Sequence, residues 1–261
     1  KAINEIIKNF KGNIDLIGFH GQTIFHNANK KISKQLGNAN LLSQLVKKDI
    51  IYNFRENDLN NGGQGAPLTP IFHNLLAKKF KVFPTTFLNL GGIANTTSVN
   101  KDNSFYASDI GPGMCLIDEW IRSNSEYRYD KNGQIAKSGK VNKLILEKAL
   151  ESIDKKFQNK NNNNLHRFTE RESFDTKDFN VAFVRGLSLE DGAATLTEYT
   201  AQNIILVFNA YGIDDHEVTL CGGGRKNKFL TDTLKKNISI KFIDDYGVDG
   251  DFIESQAFAY L

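Results

Sequence analysis

Strand-like and helix-like segments alternate in the second half of the chain, and this pattern limits the possible folds. The apolar run EVTLC (217–221) predicts a strand, which leads through Gly222–Gly224 into a helical pattern in KNKFLTDTLKKN. Further helices are predicted at 141–157 and 192–211. Because parallel strands need long, usually helical crossovers, this pattern predicts an α/β fold with a partly parallel sheet.

The first half of the chain is more mixed. In order, its patterns predict a helix at 2–10, a strand in DLIGF, a polar turn at 20–23, a strand at 49–54, an irregular stretch in NDLNNGGQGAPLTP, a helix at 70–79 and two strands bent around Gly91-Gly92. We take Pro84 as the boundary between two lobes.

Composition narrows the functional class. Hydrophobic residues make up 40% and charged residues 24% of the 261 residues, which is typical of a globular protein. The net charge of +3 is spread along the chain and no apolar run approaches about 20 residues, so neither nucleic acid nor a membrane is an expected partner. Cys115 and Cys221 are far apart and lack CxxC spacing, which favours a reducing, cytoplasmic setting without zinc.

Two glycine clusters are candidate phosphate sites. Glycines let the backbone approach a phosphate and direct N–H groups towards it, which suits both Gly91-Gly92 and Gly222–Gly224. A glycine pair in a hairpin is more often only a turn, and three glycines between a strand and a helix fit a tight connection equally well. Both interpretations therefore stay open on local sequence.

The segment HGQTIFH and the nearby NFREND hold candidate sugar ligands. His20 and Gln22 can offer neutral hydrogen bonds to hydroxyl groups, and capping of a turn is an equal alternative. A metal pair with His26 is not favoured, because no carboxylate accompanies the two histidines. Arg55 and Asp58 can bind a polyol or pair with each other at the surface.

Three carboxylates are candidates for chemistry. Asp109 stands before Ile110-Gly111-Pro112-Gly113, a rigid stretch that we expect to be a loop leading into a helix. Such a site suits a general base, although a helix N-cap is the commoner role of an isolated aspartate. Asp118, within the helix, is the weaker candidate, and Glu254 lies on an apolar terminal helix where it faces solvent or a cleft.

In order along the chain, several motifs together resemble those of the anhydro-N-acetylmuramic acid kinases: HGQTIFH, NFRENDLNNGGQGAPLTPIFH, LNLGGIAN, SDIGPGMCLID, DGAATLTEYTA, CGGGRKN and ESQAFAYL. The resemblance covers almost the whole chain. It implies a two-lobed, actin-like (ribonuclease H-like) ATPase fold, with residues 1–84 as the rest of an incomplete first lobe, 85–248 as the second lobe and 249–261 as a helix returning to the first.

The resemblance also implies a function. A kinase of this family would open the 1,6-anhydro ring of its sugar with water and phosphorylate O6, using ATP and Mg²⁺, to give N-acetylmuramic acid 6-phosphate in peptidoglycan recycling. It implies catalytic roles for Asp109, as general base, and Glu254. Nucleotide binding would fall to Gly91, Gly92, Gly222, Gly223, Gly224 and Asn227, and sugar binding to His20, Gln22, Arg55, Asp58 and Gln64.

Some residues depart from the family pattern. Ile110 and Met114 replace polar residues of its D-T-G-P-G-N motif, and Thr169–Glu172 stand where it has T-G-R-E. Its G-T-S-x-D-G phosphate loop is absent, so we expect an amino-terminally incomplete chain that is inactive by itself. The alternatives are a non-catalytic sugar-binding or regulatory module and another sugar kinase of the same fold. A homodimer is left open.

Overall fold

The computed structural model describes residues 2–151, 174, 176–213 and 216–261. Its strands are β1 (Leu16–Gly18), β2 (Gln22–Asn27), β3 (Ile32–Leu36), β4 (Asp49–Ile51), β5 (Thr85–Leu90), β6 (Ile93–Val99), β7 (Phe105–Pro112), β8 (Glu217–Cys221) and β9 (Ile240–Phe242). Its helices are α1 (Ala2–Asn9), α2 (Ala39–Val46), α3 (Phe54–Asn60), α4 (Thr69–Phe80), α5 (Cys115–Asn124), α6 (Gln134–Ser138), α7 (143–151), α8 (Leu189–Tyr211), α9 (Lys228–Leu234) and α10 (Ile253–Tyr260). Thr169–Glu172 and the end of the helix predicted at 141–157 lie outside the described residues.

The chain divides into two compact units. The first unit comprises Lys1–Phe72 and Phe252–Leu261, and the second comprises His73–Asp251. The lobe limits proposed from sequence, at residues 84 and 248, stay a prediction.

The second unit is built on a five-stranded sheet with the order β7-β6-β5-β8-β9. The strands β5, β6 and β7 pair antiparallel, whereas β8 lies parallel to β5 and β9 lies parallel to β8. The turn between β5 and β6 is the glycine pair, as the β-branched residues on both sides of it predict. This mixed sheet with its helices confirms the predicted α/β fold.

The long helix α8 organises the core of the second unit. It begins at the N-cap Ser188, whose Oγ accepts a hydrogen bond from the backbone N–H of Asp191 at 3.1 Å, and ends at Gly212 in the left-handed conformation. One part of α8 packs with Leu88 and Leu220 of the sheet, and another packs with Trp120 and its apolar neighbours on α5. Burial on both sides fixes α5 and the strand ends, which carry the site.

The first unit contains two small sheets. The strands β1 and β4 form a parallel pair, and β2 and β3 form an antiparallel hairpin. The polar turn predicted at 20–23 is wrong in part, because β2 begins at Gln22 and is paired along the hairpin. Its pairing partner lies beyond the NANKK turn, which the sequence did not mark as a hairpin.

Two candidate residues lie in elements other than those predicted. Asp58 belongs to α3, although it lies within the stretch predicted to be irregular, and Arg55 lies on the same helix just before that stretch. The helix is held there by the fully buried Leu59. Asp109 lies in β7, not on a loop, because the ladder with β6 continues as far as Pro112. The N-cap position of α5 is Met114, so Asp109 does not cap that helix.

None of the helices within the described residues is both long and apolar enough to span a bilayer.

Candidate functional site

The glycine pair between β5 and β6 is joined to the start of α5. The carbonyl oxygen of Gly91 accepts a hydrogen bond from the N–H of Met114 at 2.8 Å. The carbonyl oxygen of Gly92 accepts from the N–H of Gly113 at 3.0 Å and from that of Cys115 at 3.1 Å. These bonds place the hairpin beside the first turn of a helix, whose amino-terminal end favours negative charge.

The second glycine cluster follows β8 at the opposite side of β5. Gly222 has φ 80° and ψ 167°, a conformation that is almost restricted to glycine, and a Cβ there would lie 2.3 Å from Oδ1 of Asn89. The next residues form a 3-10 turn, Gly223–Lys226, in which Arg225 is buried. Its guanidinium donates to Asp244 and to Asp251, at 2.7 Å each, which fixes the turn.

Both glycine clusters line one cavity in the second unit. Its volume is about 510 Å³. The lining residues are Leu90, Gly91, Gly92, Met114, Asp118, Tyr129, Asp130, Lys131, Asn132, Gly223, Gly224, Lys226 and Asn227. Five of the six residues expected to bind the nucleotide are therefore brought together, whereas Gly222 shapes the turn without lining the cavity. Backbone at bare glycines beside a helix start is suited to phosphate binding.

Two cavity residues carry buried polar atoms without a hydrogen-bond partner in the described part of the chain. Asn227 is 3% exposed, and its Oδ1 accepts from the N–H of Leu230 at 3.0 Å, while its Nδ2 has no partner. Oδ1 of Asp118 likewise has none. Burial raises the pKa of Asp118 to about 6; Arg122 lowers it and the nearby carboxylate of Asp130 raises it.

On sequence alone, Asp118 is the weaker carboxylate candidate and has no predicted ligand. The available signal was its spacing, because it lies four residues after Met114 and so on the same side of the helix. Its burial and its unpaired oxygen depend on tertiary contacts that spacing does not reveal.

Asp109 is a half-buried carboxylate near the end of β7. Its Oδ2 accepts a hydrogen bond from the N–H of Phe174 at 2.9 Å. Burial raises the pKa of Asp109, and the bond from Phe174 opposes part of that rise. A register shift in β6 and β7 between Asn95 and Ala94 leaves Ile110 unpaired in the ladder. Such a bulge redirects the strand at this carboxylate, which has the environment of a general base.

The first unit gathers a second set of candidate residues around Arg55. The Nε of Arg55 donates to Nε2 of His20 at 2.8 Å, and its Nη1 donates to the carbonyl oxygen of Gly65, also at 2.8 Å. Oδ2 of Asp58 accepts from the N–H of Gly65 at 2.7 Å. Glu254, exposed on α10, raises the pKa of both His20 and Arg55 by its charge, against larger lowering effects of burial.

The remaining sugar-binding candidates differ in their surroundings. His20 has both ring nitrogens engaged, since Nδ1 bonds to the carbonyl oxygen of Gly21 at 2.8 Å and Nε2 accepts from Arg55. Burial lowers the pKa of His20, so the neutral ring is favoured. Gln22 and Gln64 are both exposed, on β2 and on the loop after α3.

Comparisons with known proteins place the chain in a family. A family model described as anhydro-N-acetylmuramic acid kinase matches residues 1–261. The anhydro-N-acetylmuramic acid kinase of Pelagibacter ubique (strain HTCC1062) is 51% identical over 272 residues, covering 100% of this chain and 70% of that protein. That of Zymomonas mobilis subsp. mobilis is 36% identical over 269 residues, with the same two coverages.

A solved structure, the activator of the 2-hydroxyisocaproyl-CoA dehydratase from Clostridium difficile with bound ADPNP, aligns with a TM-score of 0.44 at 13% identity. The alignment covers 81% of this chain and 68% of that one. The two sequence matches span the whole chain, at 51% and 36% identity. The chain belongs to the anhydro-N-acetylmuramic acid kinase family.

Proposed function

We propose that this protein is an ATP-dependent kinase that opens 1,6-anhydro-N-acetylmuramic acid with water and phosphorylates O6, giving N-acetylmuramic acid 6-phosphate. The observation that carries the proposal is the cavity of the second unit, where two separate glycine clusters meet beside a helix start. Family membership supplies the substrate class. The alternative of a non-catalytic sugar-binding module is not favoured, because the matching family and the relatives are described as kinases.

The nucleotide would bind through backbone at the glycines. Gly91 and Gly92 would take phosphate oxygens beside the first turn of α5, while Gly223 and Gly224 would contact the rest of the nucleotide. Phosphoryl transfer depends chiefly on positioning and on neutralising charge, so backbone groups held by β5, β8 and α5 can supply much of the catalysis.

Magnesium would reach this site as part of the MgATP substrate. Among the described residues, no group of three or more His, Cys, Asp and Glu side chains could hold a metal ion. Mg²⁺ that is bound with a nucleotide keeps several waters and is held largely by the phosphates, so it does not need a dedicated group of protein ligands. As part of MgATP, the magnesium ion would neutralise negative charge on the phosphates.

Asp109 would act on water. Its carboxylate would take a proton from a water molecule as the oxygen of that water bonds to the anomeric carbon and the bond from that carbon to O6 breaks. O6 would then receive the γ-phosphoryl group, and ADP would leave. The N–H of Phe174 holds one carboxylate oxygen, which orients the other, and the raised pKa makes the carboxylate a stronger base.

The cluster around Arg55 would bind the sugar. Arg55 is held by His20 and by Gly65, so its remaining N–H groups are presented in a fixed orientation. Asp58 braces the same loop, and Glu254 adds a carboxylate nearby. We assign direct contact with the sugar to Arg55, Gln22, Gln64 and Glu254, while His20 and Asp58 would act mainly by holding that site.

We also place the protein in the cytoplasm, where ATP and recycled cell-wall sugars meet, with no nucleic acid as a partner. A homodimer is compatible with this role, and the boundaries at residues 84 and 248 remain our proposal for the lobes.

The test is to incubate the full-length protein with ATP, Mg²⁺ and anhydro-N-acetylmuramic acid and to analyse the products by mass spectrometry. We expect a sugar whose mass has increased by one water and one phosphoryl group, formed only when ATP is present. Absence of a phosphorylated sugar, although the sugar and ATP both bind, would favour the non-catalytic module. Phosphorylation of other sugars alone would favour a different sugar kinase of the same fold.

A further inference from the structure

The cavity wall contains an acceptor and a donor that the fold leaves unpaired. Four buried side-chain polar atoms in the described part of the chain have no hydrogen-bond partner, and two of them belong to this wall: Oδ1 of Asp118 and Nδ2 of Asn227. Buried polar atoms in native proteins are nearly always paired, so an unpaired acceptor and donor in one cavity need an explanation. A bound ligand that donates a hydrogen bond to Asp118 and accepts one from Asn227 would explain both unpaired atoms.

A purely structural role does not account for Asp118. An aspartate in the first turn of a helix stabilises the helix through its dipole, but that effect does not require a buried oxygen. Glu119 is the next residue and also a carboxylate, yet it does not line the cavity. Asn227 does have a structural role, since its Oδ1 caps α9, but this leaves Nδ2 unused.

The two side chains define the chemistry of the missing partner. An ionised carboxylate can only accept hydrogen bonds, and the amide nitrogen can only donate, so the ligand must present both a donor and an acceptor. Leu90, Met114 and Tyr129 provide apolar surface in the same cavity, which suits a flat or partly apolar group. The terminal torsions of Asp and Asn are soft, so small rotations can turn these atoms towards a ligand.

We propose that Asp118 and Asn227 together hold the nucleoside part of the nucleotide, with Asp118 accepting a hydrogen bond from it and Asn227 donating one to it. This inference rests on the proposed kinase function. Two parts of a nucleoside have the required chemistry: the edge of adenine, with its amino group beside a ring nitrogen, and the ribose hydroxyls. Asp118 is thereby a specificity-determining residue for the nucleotide.

The experiment measures nucleotide affinity, not turnover, by calorimetry on the full-length protein with Mg²⁺ and a non-hydrolysable ATP analogue. Asp118→Asn and Asn227→Ser should each bind about tenfold to hundredfold more weakly, as expected when a hydrogen bond involving a buried polar or charged group is lost. Serine can still cap α9, so the second variant removes only the amide donor. The matched control is Glu119→Gln, which makes the same charge change one residue away and should bind within about twofold of wild type.

Two ATP analogues distinguish whether Asp118 contacts the adenine base or the ribose. If Asp118 reads the base, wild type should reject inosine triphosphate, whose purine has an oxygen in place of the amino group, and Asp118→Asn should lose that rejection. If it reads the ribose, the same loss of discrimination should appear with 2′-deoxy-ATP. Either pattern supports the proposal, and unchanged affinity and discrimination in Asp118→Asn would overturn it.

The stability of the ligand-free protein is the second readout. Removing the charge from a carboxylate that has a buried, unpaired oxygen should leave the melting temperature of Asp118→Asn equal to or above that of wild type. A lower melting temperature would overturn the proposal, because it would assign the carboxylate to the fold. If wild type binds no nucleotide, the proposed kinase function fails as well; if wild type binds and the variants bind equally well, only this inference fails.

Discussion

Two regions of the molecule differ in whether their polar side chains are hydrogen-bonded within the protein. They are the glycine-lined cavity of the second unit and the Arg55 cluster of the first unit. In the cavity wall, Asp118 and Asn227 each leave a buried polar atom without a partner among the described residues. In the cluster, His20 uses both ring nitrogens, and Arg55 and Asp58 are both bonded to Gly65. The first arrangement offers hydrogen bonds to a ligand, whereas the second uses them to fix a geometry.

This contrast predicts which substitutions should change ligand binding and which should change folding stability. Groups that are paired within the protein should affect a ligand only through the position of their neighbours, and their loss should also lower stability. Groups that are unpaired should affect the ligand directly, and their loss should leave the empty protein as stable as before, or more so.

We expect the largest effect, a loss of turnover, for Asp109→Asn, which tests the proposed general base in the second unit. Removing the proposed base should lower turnover about 10²-fold or more, because an amide cannot take the proton from water. The measurement is the rate of phosphorylated sugar formation, with nucleotide affinity as a check on folding. Asp102→Asn, at an exposed carboxylate in the turn before β7, is the control and should retain wild-type turnover. Near-normal turnover in Asp109→Asn would exclude the general-base role.

A pair of glycine substitutions tests the wall of the cavity itself. Gly222→Ala should destabilise the protein by about 1–3 kcal/mol, because φ is 80° and the added Cβ would meet Asn89. Gly223→Ala should leave stability nearly unchanged, since no atom lies within 4 Å of the added Cβ, but it should weaken nucleotide binding by intruding on the cavity. Denaturant unfolding and calorimetry on both variants check this contrast. Equal effects of the two substitutions on stability would contradict the conclusion that the fold requires glycine at 222 but not at 223.

The first unit is tested by Arg55→Lys, which keeps the charge and loses the planar fork that bonds to His20 and Gly65. We expect KM for the sugar to rise about tenfold, with some loss of stability, while the affinity for the nucleotide stays unchanged. Arg122→Lys is the matched control, being the same substitution at an exposed position on α5. A rise in KM for ATP alone would remove the cluster from the sugar site.

The smallest effect is a pH dependence of stability at Asp118. The pKa of this carboxyl is raised to about 6 by burial, so the folded protein binds its proton more tightly than the unfolded chain, in which the pKa is near 3.8. The cost of ionising Asp118 is therefore absent below about pH 4 and is complete above about pH 6. The melting temperature of Asp118→Asn minus that of wild type should rise across this range. A flat difference would show that burial does not penalise the charge.

The sequence predicted most of the second unit because its signals are local. The β-branched residues around Gly91-Gly92 mark a hairpin, and the glycines after EVTLC mark a strand that leads into a helix. The first unit was predicted less well, since α3 is rich in Asn, Asp and Glu and is held in place by the burial of one side chain, Leu59.

In the candidate site too, the residues in local motifs could be predicted, whereas those that depend on tertiary contacts could not. Gly91, Gly92, Gly223, Gly224 and Asn227 were predicted from motifs and do line one cavity. The strand position of Asp109 could not be predicted, because it depends on pairing with β6 through a register shift. The unpaired atom of Asp118 could not be predicted either, because it depends on what the surrounding elements leave unbonded.

The most direct test of the kinase mechanism is to run the reaction of the full-length protein in water enriched in ¹⁸O and to analyse the product promptly by mass spectrometry. We predict one ¹⁸O at the anomeric carbon of N-acetylmuramic acid 6-phosphate and none in its phosphate group, because water opens the ring and O6 receives the phosphoryl group. Incorporation of ¹⁸O into inorganic phosphate, with the anhydro ring left intact, would contradict the mechanism and identify the activity as hydrolysis of ATP.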